Sequence, residues 1–267
     1  RRLGIDAINE SAKKLGLGVT TGLELFEQEG RLSSPELAEV LGTDWYVGNV
    51  IQAAIGQLDT AVTTVQLATY ANTIANKGRR YQTHLVKSIV NYDGTETVYE
   101  TPVNVVSEYG NTNDTFDIIE QGMIMASTEG NAKIYLSNLP YTVASKTGTP
   151  QVANDLYNST MVAYGPVGNP EIAVAIVAEK GGNGYNLAYA VQKVFETYYN
   201  IKRARENGVE YGKYAEYLAS QNAAEQPADE NAQNRESTQN RENTVNTENN
   251  TVNNTVQNST QSSEIAQ

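Results

Sequence analysis

The sequence predicts an α+β fold in which an antiparallel sheet is flanked by helices. Helical spacing of apolar residues dominates the first 125 residues, and short apolar strand patterns follow Leu139. The connections between these strands are short, which favours an antiparallel meander over parallel crossover units. We therefore expect residues 1–220 to form one globular α+β domain.

The predicted helices follow apolar residues at three- and four-residue intervals. The first covers residues 5–15 and ends where Gly16 interrupts the pattern. The same spacing predicts helices over residues 64–76 and 114–125. A long helix over residues 187–205 is expected to cover one face of the sheet.

The predicted strands fall into two groups. A hairpin turned at Asp93-Gly94 joins residues 85–90 to residues 96–99. The other strands form the expected meander and cover residues 141–147, 159–164 and 171–178.

The charge balance and the rare residue types exclude several kinds of site. The chain carries 19 Lys and Arg against 31 Asp and Glu, a net charge of -12, which argues against a nucleic-acid partner. Cysteine is absent, so disulfides, thiol catalysis and thiolate metal sites are excluded. Because His84 is the single histidine, neither a serine–histidine triad nor a multi-histidine metal site is expected. We expect no cofactor and no metal.

The two ends of the sequence give separate expectations. The chain does not begin with Met, shows no signal-peptide pattern or membrane-spanning apolar run, and passes from Arg1 into a helical pattern. We interpret this end as a cut, which leaves an upstream anchor or signal open. Residues 221–267 lack aromatic residues and Gly and repeat Asn-Thr-Val, a composition that cannot bury enough apolar surface to fold. We expect these residues to form a disordered tail.

The stretch 145–151 (SKTGTPQ) carries the chemistry. Lys146 can neutralise a substrate carboxylate while the Thr147 hydroxyl donates a hydrogen bond to it. Gly148 removes a side chain, so that a substrate backbone can approach the strand. The N–H of Thr149 can point at a developing oxyanion. By itself, the Lys-Thr-Gly tripeptide is also typical of an ordinary polar turn, and only its surroundings separate the two interpretations.

Ordered matches along the chain supply those surroundings. They are, in chain order, residues 3–6 (LGID), 15–18 (LGLG), 21–22 (TG), 54–57 (AIGQ), 66–68 (QLA), 121–123 (QGM), 130–132 (GNA), 146–149 (KTGT) and 170–174 (PEIAV) with Glu179. From residue 3 to about residue 199, this combination resembles the C-terminal part of the transpeptidase domain of class B penicillin-binding proteins. The resemblance implies the serine β-lactamase and transpeptidase fold, N-terminally incomplete.

The resemblance also implies a serine acyltransferase that cross-links peptidoglycan. In the family the nucleophile belongs to an S-x-x-K motif, assisted by S-x-N and K-T-G motifs. Carried over to this chain, Lys146, Thr147 and Gly148 bind the substrate, and the Thr149 N–H forms one half of the oxyanion hole. The implied partners are a stem peptide ending in D-Ala-D-Ala, β-lactam antibiotics, a glycosyltransferase and other cell-wall synthesis proteins. The implied location is the outer face of the bacterial cytoplasmic membrane, with an N-terminal anchor upstream of this chain.

Two short matches imitate the missing motifs. Residues 11–14 (SAKK) spell S-x-x-K, and residues 70–72 (YAN) spell the Y-x-N of some β-lactamases. A nucleophilic serine of this kind begins a buried helix, whereas Ser11 falls in the middle of an amphipathic one. Tyr70 and Asn72 lie inside the second predicted helix. We therefore expect the nucleophile and the S-x-N motif upstream of Arg1, and no transpeptidase activity from this chain alone.

Two alternative functions stay open on the same fold. A β-lactamase or penicillin-sensing domain would need a water-activating base for fast deacylation, and the sequence offers no candidate. A catalytically inactive scaffold would bind stem peptides or cell-wall synthesis proteins without reacting.

Overall fold

The structure is a computed structural model that describes residues 3–110, 114–153 and 155–225. It confirms the predicted helices, whose ends shift by a few residues. Short helices at residues 35–41, 49–54 and 133–136, and a longer one at residues 214–225, were not predicted. The α-helices are α1 (Gly4–Lys14), α2 (Pro35–Leu41), α3 (Asn49–Ala54), α4 (Thr64–Ala75), α5 (Thr115–Thr128), α6 (Lys133–Leu136), α7 (Ala188–Glu206) and α8 (Tyr214–Glu225).

In the described residues, the strands form one central sheet and three two-stranded ribbons. The strands are β1 (Arg79–Tyr81), β2 (Ser88–Val90), β3 (Thr97–Glu100), β4 (Val105–Glu108), β5 (Ala144–Gly148), β6 (Gln151–Ala153), β7 (Leu156–Tyr157), β8 (Ser159–Gly165) and β9 (Ile172–Ala178). The ribbons pair β1 with β4, β2 with β3 and β6 with β7, and the central sheet has the order β5-β8-β9.

The central sheet is the predicted antiparallel meander with one insertion. β8 pairs with β5 on one side and with β9 on the other. Ala144 lies opposite Tyr164, and Gly148 lies opposite Thr160. The sequence analysis missed the β6–β7 ribbon between β5 and β8, because strands of two or three residues are too short to show alternation.

The predicted hairpin is confirmed in β2 and β3. Ile89 lies opposite Tyr99, and both side chains are exposed. In the turn, the Asp93 carboxylate accepts a hydrogen bond from the Thr95 N–H at 3.1 Å. Asp is common in tight turns because its side chain can accept such a hydrogen bond from the backbone two residues further on.

The two faces of the central sheet contact different helices. Odd-numbered residues of β5 and β8 lie on the face that packs against α7, which we call the α7 face. Even-numbered residues lie on the face that packs against α4 and α5, which we call the α4/α5 face. The buried side chains of the α7 face are Val143, Met161, Ala163 and Val174 of the sheet with Ala188, Val191 and Phe195 of α7. Those of the α4/α5 face are Ala144, Val162 and Tyr164 of the sheet with Ala71, Ile74, Ala75, Phe116 and Met123.

A polar network ties the central strand to α5 and to the turn after α4. The Tyr164 hydroxyl, which is fully buried, donates a hydrogen bond to Glu120 Oε2 at 3.0 Å. The Lys77 ammonium lies 2.8 Å from Glu120 Oε1 and 2.8 Å from Asp117 Oδ1. Burial, with the neighbouring Glu120 charge, raises the pKa of Tyr164, so the phenol stays protonated and remains a donor.

The chain divides into two compact units, Arg1–Tyr199 and a second that begins at Asn200. Helix α8 ends at Glu225, whereas the disordered tail is predicted from residue 221. The remainder of that predicted tail lies outside the described residues. Within the described ranges, no helix combines the length and the apolar character that a bilayer crossing requires.

The start of α4 organises a loop far away in sequence. Thr63 and Gln66 form a capping box, in which the Thr63 hydroxyl accepts the Gln66 N–H at 3.2 Å. The Gln66 side chain is fully buried, and its amide nitrogen donates to Val19 O at 2.6 Å and to Glu29 O at 2.9 Å. One glutamine therefore caps its own helix and holds both ends of residues 19–29.

A carboxylate fixes the middle of the same loop. Glu27 accepts hydrogen bonds from the N–H groups of Thr21 at 3.0 Å, Gly22 at 2.8 Å and Leu23 at 3.1 Å, and from the Thr21 hydroxyl at 2.6 Å. Burial acts to raise the pKa of Glu27, but these hydrogen bonds outweigh it and lower the pKa overall. The loop is thus folded around an ionised side chain.

We predict that Glu27→Gln lowers the free energy of unfolding at pH 7 by about 1–3 kcal/mol, because a neutral amide is a weaker acceptor than the carboxylate. The folded-state pKa lies below the unfolded value, so the stabilisation is complete above about pH 4.3 and is lost as the pH falls through the folded pKa. Urea denaturation followed by the fluorescence of the single Trp45 measures both effects.

The matched control is Glu39→Gln, which removes an exposed carboxylate on α2 and should change little. Equal losses for the two variants, or a Glu27→Gln effect that persists at pH 2, would contradict the role assigned to Glu27.

Candidate active site

The stretch predicted to bind substrate forms β5, an edge strand of the central sheet. Among the described residues, β5 pairs only with β8, so its other edge has no strand partner. Ser145 is fully buried, and its hydroxyl forms a hydrogen bond with the buried Ser127 hydroxyl of α5 at 2.8 Å. The strand is therefore fixed at its start and has an unpaired edge that an extended ligand can approach.

The two polar side chains that follow Ser145 lie on opposite faces. Lys146 pairs with Val162 on the α4/α5 face and is exposed, whereas Thr147 pairs with Met161 on the α7 face and is half-buried. The Lys146 ammonium donates a hydrogen bond to the Thr147 carbonyl at 2.7 Å, across the strand's free edge. Both groups can therefore reach one anion only at that edge.

The structure gives a steric reason for glycine at position 148, which the sequence did not show. Its partner across the sheet is Thr160, and a Cβ added to Gly148 would lie 2.3 Å from Thr160 Oγ1. Real Cβ atoms do not approach other atoms so closely. The Thr160 side chain therefore occupies the space beside Gly148, and any other residue at position 148 would force that side chain to move.

The backbone at the end of β5 is oriented by the ladder. Gly148 N, Gly148 O and Thr160 O converge on one point, within 3 Å of the position of a Cβ on Gly184, as in a hydrogen-bonded pair of opposite residues. Residues on either side of such a pair turn their N–H and C=O groups the other way. From this alternation we expect the Thr147 N–H, and the Thr149 N–H just past the end of β5, to point to the free edge, which is the orientation that an oxyanion donor requires.

Two contributors were missed by the sequence analysis. Ser127 fixes the start of β5, and Gly184 donates its N–H to Thr149 Oγ1 at 3.0 Å. The Gly-Gly-Asn-Gly run at residues 181–184 carried a usable signal, since clustered glycines mark close backbone approach. Ser127 lies within α5 and carried no such signal.

The structure holds the residues of the imitation motifs in other contacts. Ser11 lies in the second half of α1, and its hydroxyl is 3.1 Å from the Tyr109 hydroxyl. Tyr70 lies within α4 and packs against the α4/α5 core, where burial raises the pKa of its phenol. Asn72 Oδ1 accepts a hydrogen bond from Asn76 in the last turn of the same helix. None of the three is arranged as a catalytic group.

His84 has a local role. Its Nδ1 lies 2.9 Å from the Val86 carbonyl, just before β2. In the part of the chain that the structure describes, no group of three or more His, Cys, Asp or Glu side chains could hold a metal ion.

Comparison with known proteins agrees with this geometry. The family model described as "Penicillin binding protein transpeptidase domain" matches residues 1–199. Penicillin-binding protein 2A of Bacillus subtilis is 31% identical over 216 residues, covering 74% of this chain and 29% of that protein. The peptidoglycan D,D-transpeptidase MrdA of Escherichia coli is 29% identical over 218 residues, covering 73% of this chain and 33% of MrdA.

A solved structure gives the same answer. Pseudomonas aeruginosa PBP2 in complex with WCK 5153 is 30% identical and superposes with a TM-score of 0.61, covering 74% of this chain and 44% of that one. The fold and the Lys-Thr-Gly strand motif thus define the class of serine-type penicillin-binding proteins. The chain belongs to the penicillin-binding protein transpeptidase family, as a class B member, and the predicted resemblance is confirmed. It spans about a third of the length of the curated relatives. The individual roles of Lys146, Thr147, Gly148 and Thr149 stay predictions.

We predict that Gly148→Ala lowers the free energy of unfolding by about 1–3 kcal/mol, because the new methyl group overlaps Thr160 Oγ1. In a Thr160→Ala background the cost should shrink, since the Thr160 Cβ lies at an ordinary 3.7 Å. A double-mutant cycle by urea denaturation measures the difference. An equal cost in both backgrounds would show that Thr160 is not what requires glycine.

Proposed function

We propose that this chain is the carboxylate-binding part of a serine D,D-transpeptidase that cross-links peptidoglycan. The observation that carries the proposal is the edge strand β5. Lys146 and Thr147 lie on opposite faces of this strand, beside an edge that no described strand pairs with, and we propose that the Lys146 ammonium, the Thr147 hydroxyl and the Thr149 N–H meet one substrate there. The relatives named D,D-transpeptidases and penicillin-binding proteins support the same reaction class.

In the proposed reaction, a stem peptide ending in D-Ala-D-Ala lies along the free edge of β5. Lys146 and Thr147 hold its terminal carboxylate, and the Thr149 N–H donates to the carbonyl oxygen as negative charge develops there. A serine supplied from upstream sequence adds to that carbonyl, and its proton passes through the motif's lysine to the departing D-Ala. The resulting acyl-enzyme is then attacked by the amine of a second stem peptide, which frees the serine.

β-Lactams fit the same arrangement. Their carboxylate takes the place of the terminal carboxylate, and opening of the ring leaves the acyl group on the serine. We further propose that the whole protein is anchored upstream at the outer face of the cytoplasmic membrane. There it would work with a glycosyltransferase and other cell-wall synthesis proteins. The anchor and the partners are proposed for the whole protein, because this chain spans only about a third of the relatives' length.

We predict that this chain gains no mass on incubation with excess penicillin, whereas a form extended upstream through S-x-x-K and S-x-N gains one drug mass. The reason is that the nucleophile is expected upstream, while the chain holds the carboxylate-binding strand. Intact-mass spectrometry measures the adduct, and circular dichroism checks that the short chain is folded. Ser11→Ala in the extended form should leave the adduct unchanged.

The other outcomes separate the alternatives. An adduct on the short chain would place the nucleophile within it and return Ser11 to consideration. Binding of D-Ala-D-Ala peptides by the extended form without any adduct would favour an inactive scaffold. Rapid release of hydrolysed penicillin would favour a β-lactamase.

We predict that Lys146→Ala in the extended form weakens the initial non-covalent binding of penicillin by roughly 10- to 100-fold, the value of one charge-assisted hydrogen bond. Stopped-flow competition with a fluorescent penicillin separates this binding constant from the acylation rate constant. The matched control is Lys133→Ala, which removes an exposed cation on α6. Equal binding by the two variants would exclude Lys146 from carboxylate recognition.

A further inference from the structure

The segment after β9 lies against the end of the substrate-binding strand. We call residues 179–187 the glycine loop. Gly182 N donates to Tyr157 O at 3.1 Å, Ser159 Oγ donates to Asn183 O at 3.0 Å, and Gly184 N donates to Thr149 Oγ1 at 3.0 Å. These bonds bind the loop to β7, to the start of β8 and to the residue that follows β5.

The backbone of Gly184 lies very close to the backbone of the β5–β8 ladder. A Cβ built on Gly184 would lie 2.2 Å from Gly148 O, 2.8 Å from Thr160 O and 2.9 Å from Gly148 N. All three atoms belong to the backbone of the β5–β8 ladder, so no side chain can rotate away to make room. Gly184 is itself buried. Its Cα therefore rests directly on the peptide groups at the end of β5.

The loop and the groups proposed to meet the substrate lie on different sides of this backbone. Ser159, whose hydroxyl binds the loop, is an odd-numbered residue of β8 on the α7 face, and the Thr149 hydroxyl, just past the end of β5, contacts the same loop. Lys146 lies on the α4/α5 face, and the Thr149 N–H is expected to point to the free edge. Gly184 accordingly touches the strand from behind, away from the groups proposed to meet the substrate.

We propose that Gly184 is a positioning residue for the reaction. It acts through Thr149: the Gly184 N–H holds the Thr149 hydroxyl, and the Gly184 Cα blocks movement of the Gly148 carbonyl. Together these contacts fix the Gly148–Thr149 peptide, and hence the direction of the Thr149 N–H. An oxyanion donor works only when it is held within about half an ångström of its place, so this support sets the acylation rate.

This inference rests on the proposed function and is tested in the extended form. Thr149→Val removes the hydroxyl that accepts the Gly184 N–H, and Thr149→Ser restores it. Gly184→Ala pushes on the Gly148 carbonyl directly. Gly48→Ala is the control, because its new Cβ meets no atom within 4 Å. Stopped-flow acylation with a fluorescent penicillin gives the non-covalent binding constant, the acylation rate constant and the fraction of protein that reacts.

We expect Thr149→Val and Gly184→Ala to lower the acylation rate constant by about tenfold or more, with the binding constant within about threefold of wild type. Gly48→Ala should react at the wild-type rate, and Thr149→Ser should react severalfold faster than Thr149→Val, because it keeps the hydroxyl that accepts the Gly184 N–H. A merely structural role would reduce the fraction that reacts and leave its rate constant unchanged. If Gly184→Ala does not fold, the Thr149 pair decides.

Wild-type rate constants in Thr149→Val, or equally slow Val and Ser variants, would overturn the positioning role while leaving the transpeptidase proposal intact. A wild-type extended form that gains no adduct would instead overturn the proposed function, and the catalytic purpose of Gly184 with it.

Discussion

The pairing of β5 with β8 is the interaction on which the rest of the unit depends. β8 is buried on both faces, and Met161, Ala163 and Tyr164 have no exposed surface. Helix α7 packs on one face, and helices α4 and α5 pack on the other. Because β8 is held from both faces and by β9, β5 inherits a fixed register and can leave its outer edge unpaired. A binding edge needs this rigidity, since an unsupported edge strand would fray or pair with another chain.

Much of this architecture could be predicted from residue patterns, because those patterns report burial. The long helices α1, α4, α5 and α7 each carry an apolar stripe, and β8 and β9 are apolar runs bounded by turn residues. The helices α2, α3 and α6 span one or two turns and are too short to show a period. The β6–β7 ribbon was missed for the same reason, since its strands have two or three residues. Helix α8 was not predicted either.

The candidate site divides in the same way. Lys146, Thr147, Gly148 and Thr149 were found from their chemistry and from family resemblance, and the structure places them on one edge strand. The contacts of Gly148 with Thr160 and of Gly184 with Gly148 were not predictable. Each joins residues that are distant in sequence, and each depends on which backbone atoms face each other in the ladder. Glycines signal that something approaches closely, but the sequence does not say what.

Two glycines allow three backbone segments, β5, β8 and the glycine loop, to pack closely against one another. Gly148 makes room for the Thr160 side chain on the α4/α5 face, and Gly184 lies directly against the ladder on the other. The end of β5 is thereby confined without any bulky side chain, which leaves the free edge accessible to a ligand.

The loop held by Gln66 and Glu27 has a different kind of order. Leu25 and Phe26 are exposed, so this segment has little apolar core of its own, and polar contacts to Gln66 and Glu27 fix its backbone. The ordered conformation of the loop therefore depends on Gln66 in the first turn of α4. Protection from solvent exchange in the loop and at the start of α4 should therefore rise and fall together, as one cooperative unit assembled from segments some 40 residues apart.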